Sequence, residues 1–128
     1  MKIVIQTIPH QDHRYETCGD YWVDKEGTIQ VRVSQMSDQR YEALVAVHEI
    51  VEKLLCSQRG ITDAEIDAFD IAFEKERAEG MHGDDVEAGD DKRAPYRKEH
   101  FFATSIERLL AAELGVDWAT YDNEVMSL

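Results

Sequence analysis

Long apolar runs, cysteines and signal-peptide features are scarce or missing in this chain of 128 residues. No apolar stretch approaches the roughly 18 residues of a membrane-spanning helix, so we predict no transmembrane segment and no membrane partner. The N-terminal MKIVIQTIPH is apolar for only a few residues and carries no small-residue cleavage site, so we predict no signal peptide. The cysteines, Cys18 and Cys56, are therefore expected to be free thiols of a cytoplasmic protein.

Positively charged residues are also few. Lys and Arg total 14 against 27 Asp and Glu, which gives a formal net charge of −13. Because a surface of this sign repels phosphate backbones, we exclude nucleic acid as a general partner. The acidic surface is expected to confer solubility or to attract a basic protein. Acids are densest between Glu79 and Asp91, a stretch with no Lys or Arg.

The apolar residues that are present, 43% of the chain, suffice for one globular core. We predict a single α+β domain over 1–128, in which a small antiparallel or mixed N-terminal sheet packs on three main helices. Alternation of apolar and polar residues in the N-terminal quarter indicates the strands, and Gly27 marks a hairpin turn. The expected segments are strands within 1–34, a helix over 37–58, a second helix over 62–79, an exposed acidic loop over 80–93, a third helix over 95–114 and a short helix over 117–126.

Capping signals support these helix limits. Ser37 or Asp38 is a candidate cap of the first helix, and Asp117 is a candidate cap of the last. Thr62 and Glu65 form a capping-box pattern at the start of the second helix. Pro95 is expected in the first turn of the third helix, where a missing backbone N–H costs nothing.

The helix over 37–58 carries an unusual set of polar residues on its apolar face. At 100° per residue, His48 and Glu52 lie four apart in the middle of the buried stripe, and Glu49 lies at its margin. An ionised carboxylate is costly to bury without a partner, and a metal ion offsets that cost. A histidine hydrogen-bonded to a neighbouring glutamate inside the core is the simpler alternative.

The third helix presents a second such pair, because His100 and Glu107 are two turns apart on one face. One shared cation explains both helices more economically than two separate buried pairs. His48, Glu52 and His100 make a two-histidine, one-carboxylate set, as in catalytic zinc sites and in non-haem iron sites. Glu107 is expected to orient His100 through its other ring nitrogen or to be an additional ligand.

Two segments carry a resemblance to a known family. AVHEIVEKLL resembles the active-site helix of zinc metallopeptidases, whose HExxH motif has a second His where Glu52 stands. HFFATSIERLLA resembles the third-ligand helix of ImmA/IrrE-like peptidases of the phage and prophage type, in which a Glu stands in place of His100. The resemblance implies a minimal zincin-like fold and a zinc-dependent hydrolase of peptide or protein substrates. It also implies that Glu49 activates the zinc-bound water.

Two other functions stay open on the sequence. The pairs Glu49–Glu52 and Asp67–Asp70 roughly match the acidic motifs of MazG-like NTP pyrophosphohydrolases, which hold Mg²⁺ through oxygen ligands. A non-catalytic interaction or inhibitor domain, with a structural metal or none, could instead bind a basic protein through its 80–93 loop. His10, His13 and His82 are expected at the surface.

Overall fold

The computed structural model describes residues 1–128 and shows an α+β fold, as predicted. Three strands, β1 (Ile3–Ile8), β2 (Gly19–Val23) and β3 (Ile29–Ser34), form a mixed sheet in the order β1-β3-β2. The central strand β3 runs parallel to β1 and antiparallel to β2. The helices are α1 (Gln39–Gln58), α2 (Asp63–Ala78), α3 (Arg97–Glu113) and α4 (Trp118–Met126), and short 3-10 turns cover His10–Asp12 and Ala88–Asp90.

The β2–β3 hairpin forms where the sequence places it. Gly27 adopts a positive φ of 81°, a conformation that residues with a Cβ rarely adopt. Asp24 closes the turn, because its Oδ1 accepts the backbone N–H groups of Glu26 and Thr28, each at 3.0 Å. The alternation in β3 then sends Val31 and Val33 into the core, where neither is exposed at all.

The caps are mostly those that the sequence indicates. Asp38 caps α1 by accepting the N–H of Arg40 at 2.8 Å, which settles the choice between positions 37 and 38. Thr62 and Glu65 complete the capping box of α2, and Asp117 caps α4. The third helix differs from prediction: it begins at Arg97, so Pro95 precedes the helix and does not lie in its first turn.

Helix α1 lies at the centre of the molecule, in contact with the sheet on one side and with α3 on the other. Leu44 and Cys56 of α1 are fully buried in the main core with Val31 and Val33. Because α1 is covered on two sides, its polar residues at 48 and 52 are enclosed between elements. Cys18 and Cys56 are both free thiols. None of the helices has both the length and the apolar composition that crossing a membrane requires.

The 80–93 segment is not the uniformly exposed loop that its composition predicts. Gly89 is buried, and Arg77 of α2 holds the segment by donating hydrogen bonds to the carbonyl groups of Gly83 and Val86. Arg93 pairs with Glu76 at 2.8 Å and closes the other end. The loop therefore packs across the surface of α3 and α2, which brings its acidic residues to the site described next.

Candidate metal centre

A cleft of about 600 Å³ opens between the start of β2, the buried face of α1, helix α2 and the loop over α3. His48, Glu52 and His100 lie in this cleft. Each has a side chain less than a tenth exposed. The four-residue spacing on α1 places the first two on one face of the helix. Contact between α1 and α3 supplies the third.

Three atoms of these side chains converge on one point. His48 Nε2 lies 3.2 Å from Glu52 Oε2 and 3.1 Å from His100 Nδ1. His100 Nδ1 lies 3.1 Å from the same Glu52 Oε2, so the three atoms form a nearly equilateral triangle. One other trio, Glu87, Asp90 and His100, brings its ligand atoms within 4.8 Å of one another, but only His100 of that trio is buried.

The size of this triangle fits a zinc ion. Zinc bonds to nitrogen and oxygen of about 2.0–2.1 Å, set at the tetrahedral angle, separate the ligand atoms by about 3.3 Å. Hydrogen bonding alone satisfies the triangle less well. If both nitrogens direct protons at Glu52, two N–H groups face each other 3.1 Å apart. A central cation is attracted to all three atoms at once.

Each of the three residues is held by a further polar group. The Nδ1–H of His48 donates to Glu107 Oε2 at 2.8 Å, and Tyr121 donates its hydroxyl proton to the other oxygen of Glu107. Because that bond keeps a ring proton on Nδ1, Nε2 is the nitrogen left to face a metal. This arrangement is common around metal-bound histidines.

Glu52 and His100 have outer partners of their own. The Tyr21 hydroxyl donates to Glu52 Oε1 at 3.1 Å, which leaves Oε2 at the triangle. Glu87 of the loop approaches His100 Nε2 to 2.9 Å, and Asp90 lies 3.5 Å from that nitrogen. Both contacts fix the orientation of a candidate ligand before any metal binds, which reduces the entropy lost on binding.

The pKa shifts show how the surrounding carboxylates affect the rings. Burial acts to lower the pKa of His48, but hydrogen bonds to Glu107 and Glu52 outweigh it and raise the pKa to about 10. Burial acts in the same direction on His100, where Asp90, Glu52 and Glu87 raise the pKa to about 12. For Glu52, burial favours a higher pKa, yet His100 and His48 lower it to about 2. The centre therefore favours positive charge strongly.

Glu49 shares the cleft with the triangle but is not part of it. Its carboxylate lies against the start of β2, where a Cβ on Gly19 would be 2.5 Å from Glu49 Oε1. Glycine at 19 thus leaves the space that the carboxylate occupies. Burial, reinforced by repulsion from Glu52, raises the pKa of Glu49 well above its ordinary value. A carboxylate with a raised pKa is suited to taking up and returning a proton.

Most of the residues singled out by the sequence meet here, with one change of partner. The sequence predicts that Glu107 orients His100 or is an additional ligand, but in the structure its carboxylate contacts His48 and is not one of the three converging groups. The helical spacing places Glu107 on the right face of α3 without indicating which ring it reaches. Glu87, Tyr21, Tyr121 and Gly89 were not singled out at all, and only the acidity of the 80–93 segment hinted at the first.

The remaining histidines, His10, His13 and His82, do not reach the triangle. We predicted them at the surface, but all three are half-buried. His10 and His13 both contact the Ser34 hydroxyl, at 2.9 and 3.0 Å. His82 stacks on Phe73 and contacts Glu76 at 2.6 Å. These rings are held by local partners and serve as internal comparisons for the candidate ligands.

Comparison with known proteins gives no relatives: no protein-family model, curated protein or solved structure matches the chain. The function is therefore inferred from the chemistry of the cleft and from the motif resemblance.

Proposed function

We propose that this chain is a zinc-dependent hydrolase of zincin type that acts on peptide bonds. The observation that supports this most directly is the convergence of His48 Nε2, Glu52 Oε2 and His100 Nδ1 within 3.2 Å of one another in a cleft. Three protein ligands leave a tetrahedral ion one open position, which distinguishes catalytic zinc sites from structural ones.

In this proposal His48, Glu52 and His100 hold the ion, with zinc favoured and another divalent transition metal compatible with the same ligands. Zinc in such a site supplies Lewis acidity and makes a water molecule easier to deprotonate. Glu107, Tyr21 and Glu87 keep the ligands oriented. The carboxylate ligand adds negative charge, which tempers the acidity of the metal, so we expect modest rates.

Glu49 is the proposed general base. It follows His48 directly in the sequence, faces the cleft, and has a pKa raised by burial and by Glu52. It would accept a proton from the attacking water and deliver it to the leaving amine. The glycine at 19 lets this carboxylate lie against β2 without a clash.

The resemblance to ImmA/IrrE-like peptidases agrees with this donor set even though two ligand types are exchanged. The family has His at the position of Glu52 and Glu at the position of His100. Since the two side chains here meet at one point, 3.1 Å apart, the exchange preserves two imidazoles and one carboxylate. We likewise propose a cytoplasmic location, because Cys18 and Cys56 are both free thiols.

Two other functions are less well supported. Mg²⁺ prefers oxygen ligands, whereas two of the three converging atoms are imidazole nitrogens, which disfavours a MazG-like pyrophosphohydrolase.

A non-catalytic interaction domain would use the 80–93 loop as a free surface. In the structure Gly89 and Glu87 of that loop are instead packed against His100.

The test is hydrolysis of a mixture of quenched fluorescent peptides of random sequence by tag-free, zinc-loaded protein. We expect zinc-dependent cleavage by the wild type and at least a hundredfold loss in Glu49→Gln, at the lower range typical of a removed general base. Glu113→Gln, an exposed change at the end of α3, is the control and should keep full activity.

Zinc content must be measured on the same samples. A Glu49→Gln protein that holds zinc as the wild type does and is inactive supports the base assignment. Equal activity of Glu49→Gln and the wild type would refute it. A wild type that holds zinc but cleaves nothing would favour the interaction-domain alternative with a structural metal.

A further inference from the structure

His100 has a second ring nitrogen that the candidate metal centre does not use. Its Nδ1 faces Glu52 and His48, whereas Nε2, on the opposite side of the ring, faces the 80–93 loop. The side chain is only 8% exposed, and Nε2 makes no hydrogen bond. Buried polar atoms are nearly always hydrogen-bonded, and a bound ion is one of the partners that explain an exception.

Two carboxylates of the loop face this nitrogen. Glu87 Oε2 lies 2.9 Å from His100 Nε2 without the alignment of a hydrogen bond, and Asp90 Oδ1 lies 3.5 Å from the same nitrogen. Neither carboxylate is paired with a Lys or Arg, and Arg97 donates to the backbone carbonyl of Asp90 instead of its side chain. The two acids therefore converge on a buried imidazole without a basic side chain to balance their charge.

The local structure of the loop brings the two carboxylates together. Ala88–Asp90 is a 3-10 turn, in which the Asp90 N–H donates to the Glu87 carbonyl at 3.1 Å. Residues three apart in such a turn lie one above the other, so their side chains leave the loop on the same side. Gly89 lacks the Cβ that would lie 2.4 Å from Cγ of His100, so the turn packs directly against the ring.

The size and the chemistry of this second trio suit a divalent transition-metal ion. The distances from His100 Nε2 to the two oxygens, 2.9 and 3.5 Å, bracket the separation of about 3.3 Å between the ligand atoms of a tetrahedral zinc ion. One imidazole nitrogen and two carboxylate oxygens are ligands that zinc accepts. Asp90 is exposed and Glu87 is half-buried, so water has access to complete the coordination.

We propose that Glu87, Asp90 and His100 form a second metal site, in which the imidazole of His100 bridges two divalent ions. The inner ion binds Nδ1 together with His48 and Glu52, and the outer ion binds Nε2 together with the two loop carboxylates. The outer ion takes the place of the Nε2 proton, which is released to solvent. Because its ligands are partly open to water, the outer ion is held more weakly. This site goes beyond the proposed hydrolase, which needs only the inner ion.

The test is equilibrium dialysis of the metal-free protein against zinc at a series of fixed free concentrations, followed by metal analysis. The outer-site variant is Glu87→Gln, Asp90→Asn. The control, Asp84→Asn, Asp85→Asn, removes the same charge from exposed positions of the same loop. At saturation we expect about two zinc ions per chain in the wild type and in the control, and about one in the outer-site variant. Desalting should remove the weaker ion from the wild type.

A single substitution separates the two roles of the loop, because Glu87 also orients His100 toward the inner ion. Asp90 lies farther from the ring, so Asp90→Asn acts mainly on the outer ion. We expect it to weaken binding of the second zinc at least about tenfold and binding of the first by at most about threefold. Loss of both ions to the same degree would contradict a separate outer site.

Copper(II) distinguishes a bridging imidazole from two unconnected ions. The unpaired spins of two copper(II) ions joined by one imidazolate couple antiferromagnetically, so electron paramagnetic resonance detects fewer spins than the copper that is bound. We expect this deficit in the wild type and in the Asp84→Asn, Asp85→Asn control. The outer-site variant should show every bound copper ion.

A wild type that binds a single zinc at saturation, or an outer-site variant that still binds two, would overturn the second site. Full copper visibility in a wild type that binds two ions would overturn the bridge. The inner centre is tested separately with His48→Ala. A single zinc kept in the outer-site variant and lost in His48→Ala would refute the second site and keep the inner centre. The reverse pattern would refute the inner centre and keep the outer site.

Discussion

Both ring nitrogens of His48 are engaged: Nδ1 donates to Glu107, and Nε2 faces Glu52 and His100. A histidine can be a neutral metal ligand only through the nitrogen that lacks a proton. Glu107 therefore acts on the candidate centre without being one of its three converging ligands. Its own position is fixed by the Tyr121 hydroxyl.

We predict that Glu107→Gln weakens zinc binding about 10- to 100-fold, the usual effect of removing the outer partner of a metal-bound histidine. The amide is similar in size but is a weaker acceptor, so the Nδ1 proton of His48 is held less firmly. Competition with a chromogenic zinc chelator measures the change. Glu113→Gln on the same helix should bind zinc as the wild type does. Unchanged affinity in Glu107→Gln would show that the His48–Glu107 bond plays no part.

At this scale the sequence predicts the residues better than their pairing. The i, i+4 spacing of His48 and Glu52 fixes their common face, and the same reasoning finds His100. It assigns Glu107 to the wrong ring, because which ring it reaches depends on how α1 and α3 are rotated against each other. The periodicity of a single helix does not contain that information. It also cannot reveal Tyr21, the partner of Glu52, because Tyr21 lies on a strand.

At the scale of elements, the 80–93 loop is in direct contact with the candidate centre. Gly89 is buried against His100, and a Cβ built on Gly89 would lie 2.4 Å from the imidazole ring. Glu87, two residues earlier, approaches the outer nitrogen of the same ring. The loop therefore holds the ring from one side while α3 holds it from the other.

We predict that Gly89→Ala reduces zinc affinity at least about tenfold, since the ring or the loop must move to make room and the ligand loses its orientation. Gly83→Ala in the same loop is the matched control. A Cβ there would approach Asp85 Oδ1 at 2.7 Å, and this flexible side chain can turn away. Calorimetric titration with zinc compares Gly89→Ala with Gly83→Ala. Equal zinc affinities of the two variants would contradict the assigned role of Gly89.

The elements themselves could be predicted wherever local signals decide them. Strand alternation, Gly27 and the capping box at Thr62 all act over a few residues, and the structure bears them out. The packing of the 80–93 loop could not be predicted. Its glycines and acidic residues, considered without the rest of the chain, indicate an exposed segment. Its packing depends on Arg77, a residue of another element that satisfies two loop carbonyl groups.

For the whole molecule, the acidic cleft makes stability depend on pH through Asp70. Burial, reinforced by repulsion from Glu52, outweighs the hydrogen bonds from Tyr96 and Tyr15 and raises the pKa of Asp70 from 3.8 to about 7. Between these two values the folded protein keeps a proton that the unfolded chain has lost. The contribution is present below the unfolded pKa and is lost as pH rises through the folded pKa.

We predict that the free energy of unfolding of the wild type falls between about pH 4 and 7 relative to that of Asp70→Asn, which has no proton to lose. The relative slope should approach about 1.4 kcal/mol per pH unit inside this window. Urea denaturation at several pH values and constant zinc measures it. Asp84→Asn, an exposed change, should follow the wild type. Parallel curves for Asp70→Asn and the wild type would contradict the raised pKa.

We propose above all that residues 48, 52 and 100 together bind one transition-metal ion. Elemental analysis of tag-free protein, loaded with zinc and then desalted, tests it most directly when wild type, His100→Ala and His82→Ala are compared. We expect about one zinc per chain in the wild type and in His82→Ala, and strong depletion of zinc in His100→Ala. A wild type without zinc, or a His100→Ala protein that keeps a full equivalent, would contradict it.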